Sequence, residues 1–211
     1  MKQNIIVALD GISRQEALKI AKSLKGLVWG FKVNDLLFDS TSIIKRLKKY
    51  GRVFADAKLY DIPNTVANSV ARLSESGADI ITVHAAGGVK MMQTAKQVAG
   101  KSKIIAVTVL TSCEGNFKRN VLSLAKDARR AGVDGVVCST REVSYVSKKL
   151  LKIVPGIRPA GHISKDDQKR TATPQEAIKS GADFVVIGRP ITQSKNPVLT
   201  TQQILNEIEN A

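Results

Sequence analysis

The sequence predicts an α/β fold, a single (β/α)8 TIM barrel over residues 1–211, and three observations predict it. Short β-branched runs recur at intervals of roughly 15 to 30 residues. Helical patterns with recognisable caps fill the gaps between them. A polar or charged residue also marks each point where a run gives way to the following loop, the end at which such barrels carry their chemistry.

The runs are Ile5–Leu9, Trp29–Val33, Val53–Ala57, Ile80–His84, Ile104–Leu110, Gly135–Cys138, Lys152–Val154 and Phe184–Ile187. Each is almost continuously apolar, as parallel strands covered on both faces should be. Ser13-Arg14-Gln15-Glu16 is a capping box that opens a helix running to Leu24. Thr173-Pro174-Gln175-Glu176 is a second box, with proline at the first helical position, where its missing N–H costs nothing. Ser76-Gly77-Ala78-Asp79 and Ser180-Gly181-Ala182-Asp183 each stop a helix at glycine and lead directly into a strand. An open doubly wound sheet could be built from similar units. Eight units joined by short loops, without a linker, favour closure into a barrel.

Composition narrows the function classes. The chain of 211 residues is 43% hydrophobic, has no apolar stretch of membrane-span length, and begins with an apolar run too short to suggest a signal peptide, so a soluble, cytoplasmic protein is expected. Cys113 and Cys138 belong to no metal-binding pattern and are expected to be reduced and partly buried. With only His84 and His162 to help, a zinc site is not expected. Thirty-three Lys and Arg against 18 Asp and Glu leave a net charge of +15, which raises the question of nucleic acid. Aromatic residues make up only 4%, too few for base stacking. The basic runs Lys45-Arg46-Leu47-Lys48-Lys49 and Lys148-Lys149-Leu150-Leu151-Lys152 read as wet helix faces or C-terminal turns. A positive field can instead attract a small anionic substrate, and no nucleic-acid or membrane partner is expected.

The predicted strand exits carry Asp10, Lys32, Asp56 with Lys58, His84, Thr111, Ser139, Arg158 and Arg189. Ser139 and His84 are read as structural. Asp56 and Lys58, two apart on one strand, leave on the same face toward the barrel mouth. A charged pair there is costly unless its members compensate one another. Lys32, one strand earlier, and Asp61, in the next loop, complete an expected array of two lysines and two aspartates. At the eighth exit, Gly188 allows close backbone approach and Arg189 can grip a phosphate. The seventh exit, Pro155 to Gly161, runs into a polar stretch, His162 to Arg170, that suits a lid.

The segment Asp56-Ala57-Lys58-Leu59-Tyr60-Asp61-Ile62-Pro63-Asn64-Thr65 resembles the DxKxxDIPNT signature of the orotidine 5'-monophosphate decarboxylase family. The resemblance continues through IIVALD, FKV, VHAAGG, VTVLTS, PGIRP, DDQKR and VIGRPIT, in that order, and is greatest to the bacterial branch. It implies loss of CO2 from a nucleotide, orotidine 5'-monophosphate, without metal or cofactor. Lys58 would protonate carbon 6 of the pyrimidine within a network of Lys32, Asp56 and Asp61. Asp10 and Lys32 would hold ribose hydroxyls, and Thr111 the pyrimidine edge. Arg158, Gln168, Gly188 and Arg189 would make the phosphate and lid contacts. The family also implies a homodimer, with Asp61, Ile62 and Thr65 reaching the neighbouring site. Asn34, Tyr60 and Glu114 depart from common family patterns. Magnesium-dependent cousins that act on sugar phosphates share the DxKxxD spacing. They resemble enzymes with a metal-ligating glutamate on the second strand, where this chain has Lys32.

Overall fold

Alternation along each strand sends one set of side chains into the barrel and the other outward against the helices. A computed structural model describes residues 4–113, 115–159 and 171–209 and has this architecture. Eight parallel strands close in sequence order: β1 (Ile5–Ala8), β2 (Gly30–Val33), β3 (Arg52–Leu59), β4 (Ile80–His84), β5 (Lys103–Val107), β6 (Gly135–Val137), β7 (Leu151–Val154) and β8 (Phe184–Ile187). The helices outside are α1 (Arg14–Ser23), α2 (Leu36–Asp39), α3 (Ser42–Leu47), α4 (Pro63–Glu75), α5 (Gly88–Gln97), α6 (Lys118–Ala131), α7 (Thr140–Val143), α8 (Pro174–Lys179), α9 (Arg189–Thr192) and α10 (Pro197–Glu209). Among the described residues, no helix is long and apolar enough to cross a membrane.

Ile6, Phe54, Ile80, Ile105, Ile153 and Val186 fill the barrel interior. Trp29, Leu151 and Phe184 pack beneath them, with the Trp29 and Phe184 rings 5.1 Å apart. These three stand where strands begin, so they plug the N-terminal end and leave the opposite mouth open. A larger apolar layer, including Ile5, Val7, Val70, Met92 and Val121, joins the outer strand faces to the helices.

Both predicted capping boxes form, at Ser13 with Glu16 and at Thr173 with Glu176. Gly77 and Gly181 have φ of +96° and +100°, the left-handed geometry that ends a helix cheaply only at glycine. Each is followed two residues later by an aspartate that tightens the entry to the sheet. The carboxylate of Asp79 accepts the Val53 N–H, and that of Asp183 accepts the Lys152 N–H. Asp134, after Gly132, accepts the Ile104 N–H in the same way.

Three local expectations shift. β3 is longer than expected, running to Leu59, while β5 ends at Val107 rather than Leu110. The Thr108 hydroxyl donates to the Val137 carbonyl, and the chain then turns over the mouth. The basic run at Lys148 is not helical: Lys148 and Lys149 lie in turns, and Lys152 is a buried residue of β7. Strand pairing with β6 overrides the local pattern there. Neither cysteine is in a disulfide; Cys138 is buried, and Cys113 is exposed rather than partly buried as expected.

Gly30 lies where β2 and β3 leave no room for a side chain. A Cβ there would lie 2.2 Å from the Arg52 carbonyl oxygen, a backbone atom with nowhere to move. Gly30→Ala is predicted to destabilise the fold by about 3 kcal/mol, through overpacking. Urea unfolding measures it, and a change below about 0.5 kcal/mol, the scale of an ordinary surface substitution, would contradict this account.

Candidate active site

At the open mouth lies a cavity of about 540 Å³, lined by residues from β1, β2, β3, β5, β6, β7 and β8 and the segments that follow them. Its polar lining includes Asp10, Lys32, Asp56, Lys58, Thr111, Arg158 and Arg189. Gly188 joins them, and a Cβ there would come within 3.4 Å of Ala8 Cβ.

The charged groups form one continuous chain. Lys32 Nζ donates to Asp10 Oδ2 and lies 3.2 Å from Asp56 Oδ2. Lys58 Nζ donates to the same Asp56 oxygen at 2.6 Å. The Thr82 hydroxyl donates to the other, Oδ1, at 2.9 Å. The Asn34 backbone N–H donates to Asp10 Oδ1 at 3.1 Å, and its side-chain amide donates to the Asp56 carbonyl at 2.7 Å. Asp56 and Lys32 are 6% and 7% exposed, so their charges persist only because they face one another.

Burial by itself would raise the carboxyl pKa of Asp56. The Lys32 and Lys58 ammonium groups outweigh burial and hold it below the usual carboxylate range. Burial would likewise discharge Lys32, but Asp56 and Asp10 hold it above the ordinary lysine value. Both are therefore charged at neutral pH. Lys58 ends the chain with its side chain one-third exposed into the cavity, an ammonium backed by a fixed carboxylate.

Asp56 and Lys58 meet as their spacing of two along a strand predicts, yet the backbone between them is not a regular strand. β3 pairs with β4 through Ala55↔Ile81 and then Leu59↔Val83, so Asp56, Ala57 and Lys58 bulge opposite Thr82 alone. Lys58 has φ of +46°, a left-handed conformation that costs a residue with a Cβ roughly 1–2 kcal/mol. Strain of this kind concentrates at functional sites.

Asp61 departs from the expected array. Within one chain the fourth charged member is Asp10, while Asp61 is exposed beyond β3 and accepts the Ile62 N–H at 2.6 Å. Asp61 cannot share the mouth of its own barrel because the chain has already turned outward to begin α4. Ile62, 67% exposed, and Thr65, exposed on the first turn of α4, also stand outside the lining of their own chain's cavity. Gln168 and the expected lid, His162 to Arg170, lie outside the described residues. So does Glu114.

Ser139 caps α7 in a box with Glu142, the structural reading expected of it. His84 is half-buried, its ring 5.9 Å from that of Tyr60. Sequence reasoning missed Thr82, Thr192 and Gln193, the last two lining the cavity beyond Arg189. Thr82 had a legible signal, as the polar side chain inside the apolar strand Ile80–His84.

Comparison with known proteins brings this geometry into a family. The model of the orotidine 5'-phosphate decarboxylase / HUMPS family matches residues 3–204. The orotidine 5'-phosphate decarboxylase of Actinobacillus succinogenes is 40% identical, over 100% of both chains. The crystal structure of that enzyme from Lactobacillus acidophilus has a TM-score of 0.83 at 35% identity, covering 99% of this chain and 100% of its own. The Pyrococcus horikoshii structure has a TM-score of 0.82 at 27% identity, covering 98% and 100%.

His84 supplies a pH test of the site. Burial first, and then the Lys58 ammonium, lower its pKa below the ordinary 6.5, against a smaller opposing pull from Asp56. As pH falls from 7, the unfolded chain therefore binds this proton before the folded chain does, and stability is lost below about 6.5. His84→Asn is predicted to lose less stability than the parent between pH 7 and 5. Parallel stability curves for the two proteins would remove His84 as the cause.

Proposed function

The chain belongs to the orotidine 5'-phosphate decarboxylase / HUMPS family, and we propose that it converts orotidine 5'-monophosphate to uridine 5'-monophosphate, the closing step of pyrimidine nucleotide synthesis. The observation that carries this reading is the charged chain Asp10–Lys32–Asp56–Lys58, buried at Lys32 and Asp56. Lys32 matters most for choosing within the family. Its ammonium lies between the carboxylates of Asp10 and Asp56, where a divalent ion of a magnesium-dependent cousin would need an acidic ligand. Residues 1–211 act as one decarboxylase domain without metal or organic cofactor.

The bond between carbon 6 and the carboxylate breaks, CO2 leaves, and the electron pair stays on carbon 6. No carbonyl is positioned to take up that pair as an enolate, so stabilisation must be electrostatic. The Lys58 ammonium beside carbon 6 lowers the energy of the developing carbanion and then delivers a proton to it. Solvent restores the lysine proton after product leaves. Asp56 holds the Lys58 side chain in place until that step through their 2.6 Å contact. It also stands near the substrate carboxylate and disfavours the ground state.

Asp10 and Lys32 bind ribose hydroxyls, and Thr111 contacts the pyrimidine edge. Arg158, Gln168, Gly188 and Arg189 take the phosphate, far from the reacting carbon, so that binding there helps to lower the barrier. The second copy in a homodimer contributes Asp61, Ile62 and Thr65. Their exposure, together with that of Phe38 and Tyr60 after the paired strands β2 and β3, supports this arrangement.

Loss of orotidine monophosphate absorbance, followed with and without EDTA, tests the reaction directly. EDTA-resistant turnover is expected from the parent. Lys58→Ala is predicted to lower kcat at least about a thousandfold while product affinity stays nearly unchanged. Substantial residual turnover in that variant would reject the role of Lys58.

Arg189→Ala is predicted to lower kcat/KM for orotidine monophosphate by about 10- to 100-fold, the value of one or two charge-assisted hydrogen bonds. Orotidine, which lacks the phosphate, should be far less affected. Equal losses on both substrates would show that Arg189 does not bind the phosphate.

A further inference from the structure

The bulge in β3 leaves a specific deficit. Three residues, Asp56, Ala57 and Lys58, face a single residue of β4, so regular ladder hydrogen bonds cannot serve all of them. Thr82 is that residue, and it is fully buried. Its hydroxyl oxygen accepts the Lys58 backbone N–H at 2.9 Å. The same hydroxyl donates its proton to Asp56 Oδ1, also at 2.9 Å. One side chain therefore grips the backbone of the lysine and the carboxylate that pairs with its ammonium.

We propose that Thr82 is a positioning residue, whose hydroxyl holds Lys58 in its left-handed backbone conformation and orients Asp56 so that the Lys58 ammonium is aimed into the cavity. Without the hydroxyl, the Lys58 N–H and Asp56 Oδ1 both lose a buried partner. The lysine is then free to relax toward ordinary strand geometry, which moves its Cβ and redirects the side chain. Asn34 grips the opposite side of the bulge through the Asp56 carbonyl. That contact restrains Asp56 but leaves Lys58 unrestrained, so it does not replace Thr82. Valine has the same shape as threonine without the hydroxyl, whereas serine retains the hydroxyl without the methyl. The pair separates hydrogen bonding from packing.

The kinetic consequence rests on the decarboxylase reading, but the structural one does not. Thr82→Val is expected to lower kcat on orotidine monophosphate by about 100-fold, the effect of misplacing a reacting group by about an ångström. KM and uridine monophosphate affinity should change by less than about threefold, since the ribose and phosphate contacts are untouched. Thr82→Ser is expected to retain kcat within about threefold of the parent. Thr82→Ala serves the same comparison if the valine variant does not fold. A hydroxyl-free variant with parental kcat overturns the proposal, as does a serine variant as slow as the valine one. A crystal structure of Thr82→Val or Thr82→Ala is expected to show Lys58 out of the left-handed region. If Lys58 instead keeps its positive φ and its contact with Asp56, the proposal fails whatever the substrate is. If the parent does not turn over orotidine monophosphate, the decarboxylase reading fails and this crystal structure still decides the role of Thr82.

Discussion

A carboxylate buried at the mouth of an apolar barrel stays charged only while cations stay beside it. Asp56 has two, Lys32 at 3.2 Å and Lys58 at 2.6 Å, and neither can leave without exposing the others to an uncompensated desolvation cost. The four-member chain from Asp10 to Lys58 is thus a mutual constraint. It keeps Lys32 and Asp56 charged and sets the place where the Lys58 ammonium meets the cavity. The hydrogen bonds of Asn34 and Thr82 around it orient those charges without adding to them.

The fold supports this arrangement by keeping its ends different. Trp29, Leu151 and Phe184 close the lower end beneath a bed of isoleucine and phenylalanine, and the charged chain from Asp10 to Lys58 stands at the other. The same parallel ladder that builds the wall is interrupted once near the site, at the β3 bulge. There the backbone adopts a strained conformation at Lys58, and side chains replace missing ladder partners. Stability in the wall allows strain in the site.

Much of the barrel was legible in the chain because its determinants are local. Apolar runs with β-branched residues mark strands, and Ser13, Thr173, Gly77 and Gly181 mark helix ends through their own backbone and side-chain chemistry. The candidate residues at the strand exits were legible for a similar reason, since charge in an apolar barrel needs an explanation. Where local pattern misled, tertiary pairing was stronger. The basic run ending at Lys152 has helical character, but its last two residues begin a strand beside β6.

The sequence by itself determined the fold class, the family and which residue types gather at the barrel mouth. Only the tertiary structure decided that Asp10, not Asp61, joins Lys32 and Asp56 within one chain, and that Thr82 completes the setting of Lys58. The physical reason is register. Contacts between Lys32 and Asp10, or Thr82 and Asp56, join residues 22 and 26 positions apart, and they depend on how neighbouring strands slide and bulge. A spacing of two along a strand suggests that Asp56 and Lys58 share a face, but it carries no sign of the left-handed backbone at Lys58.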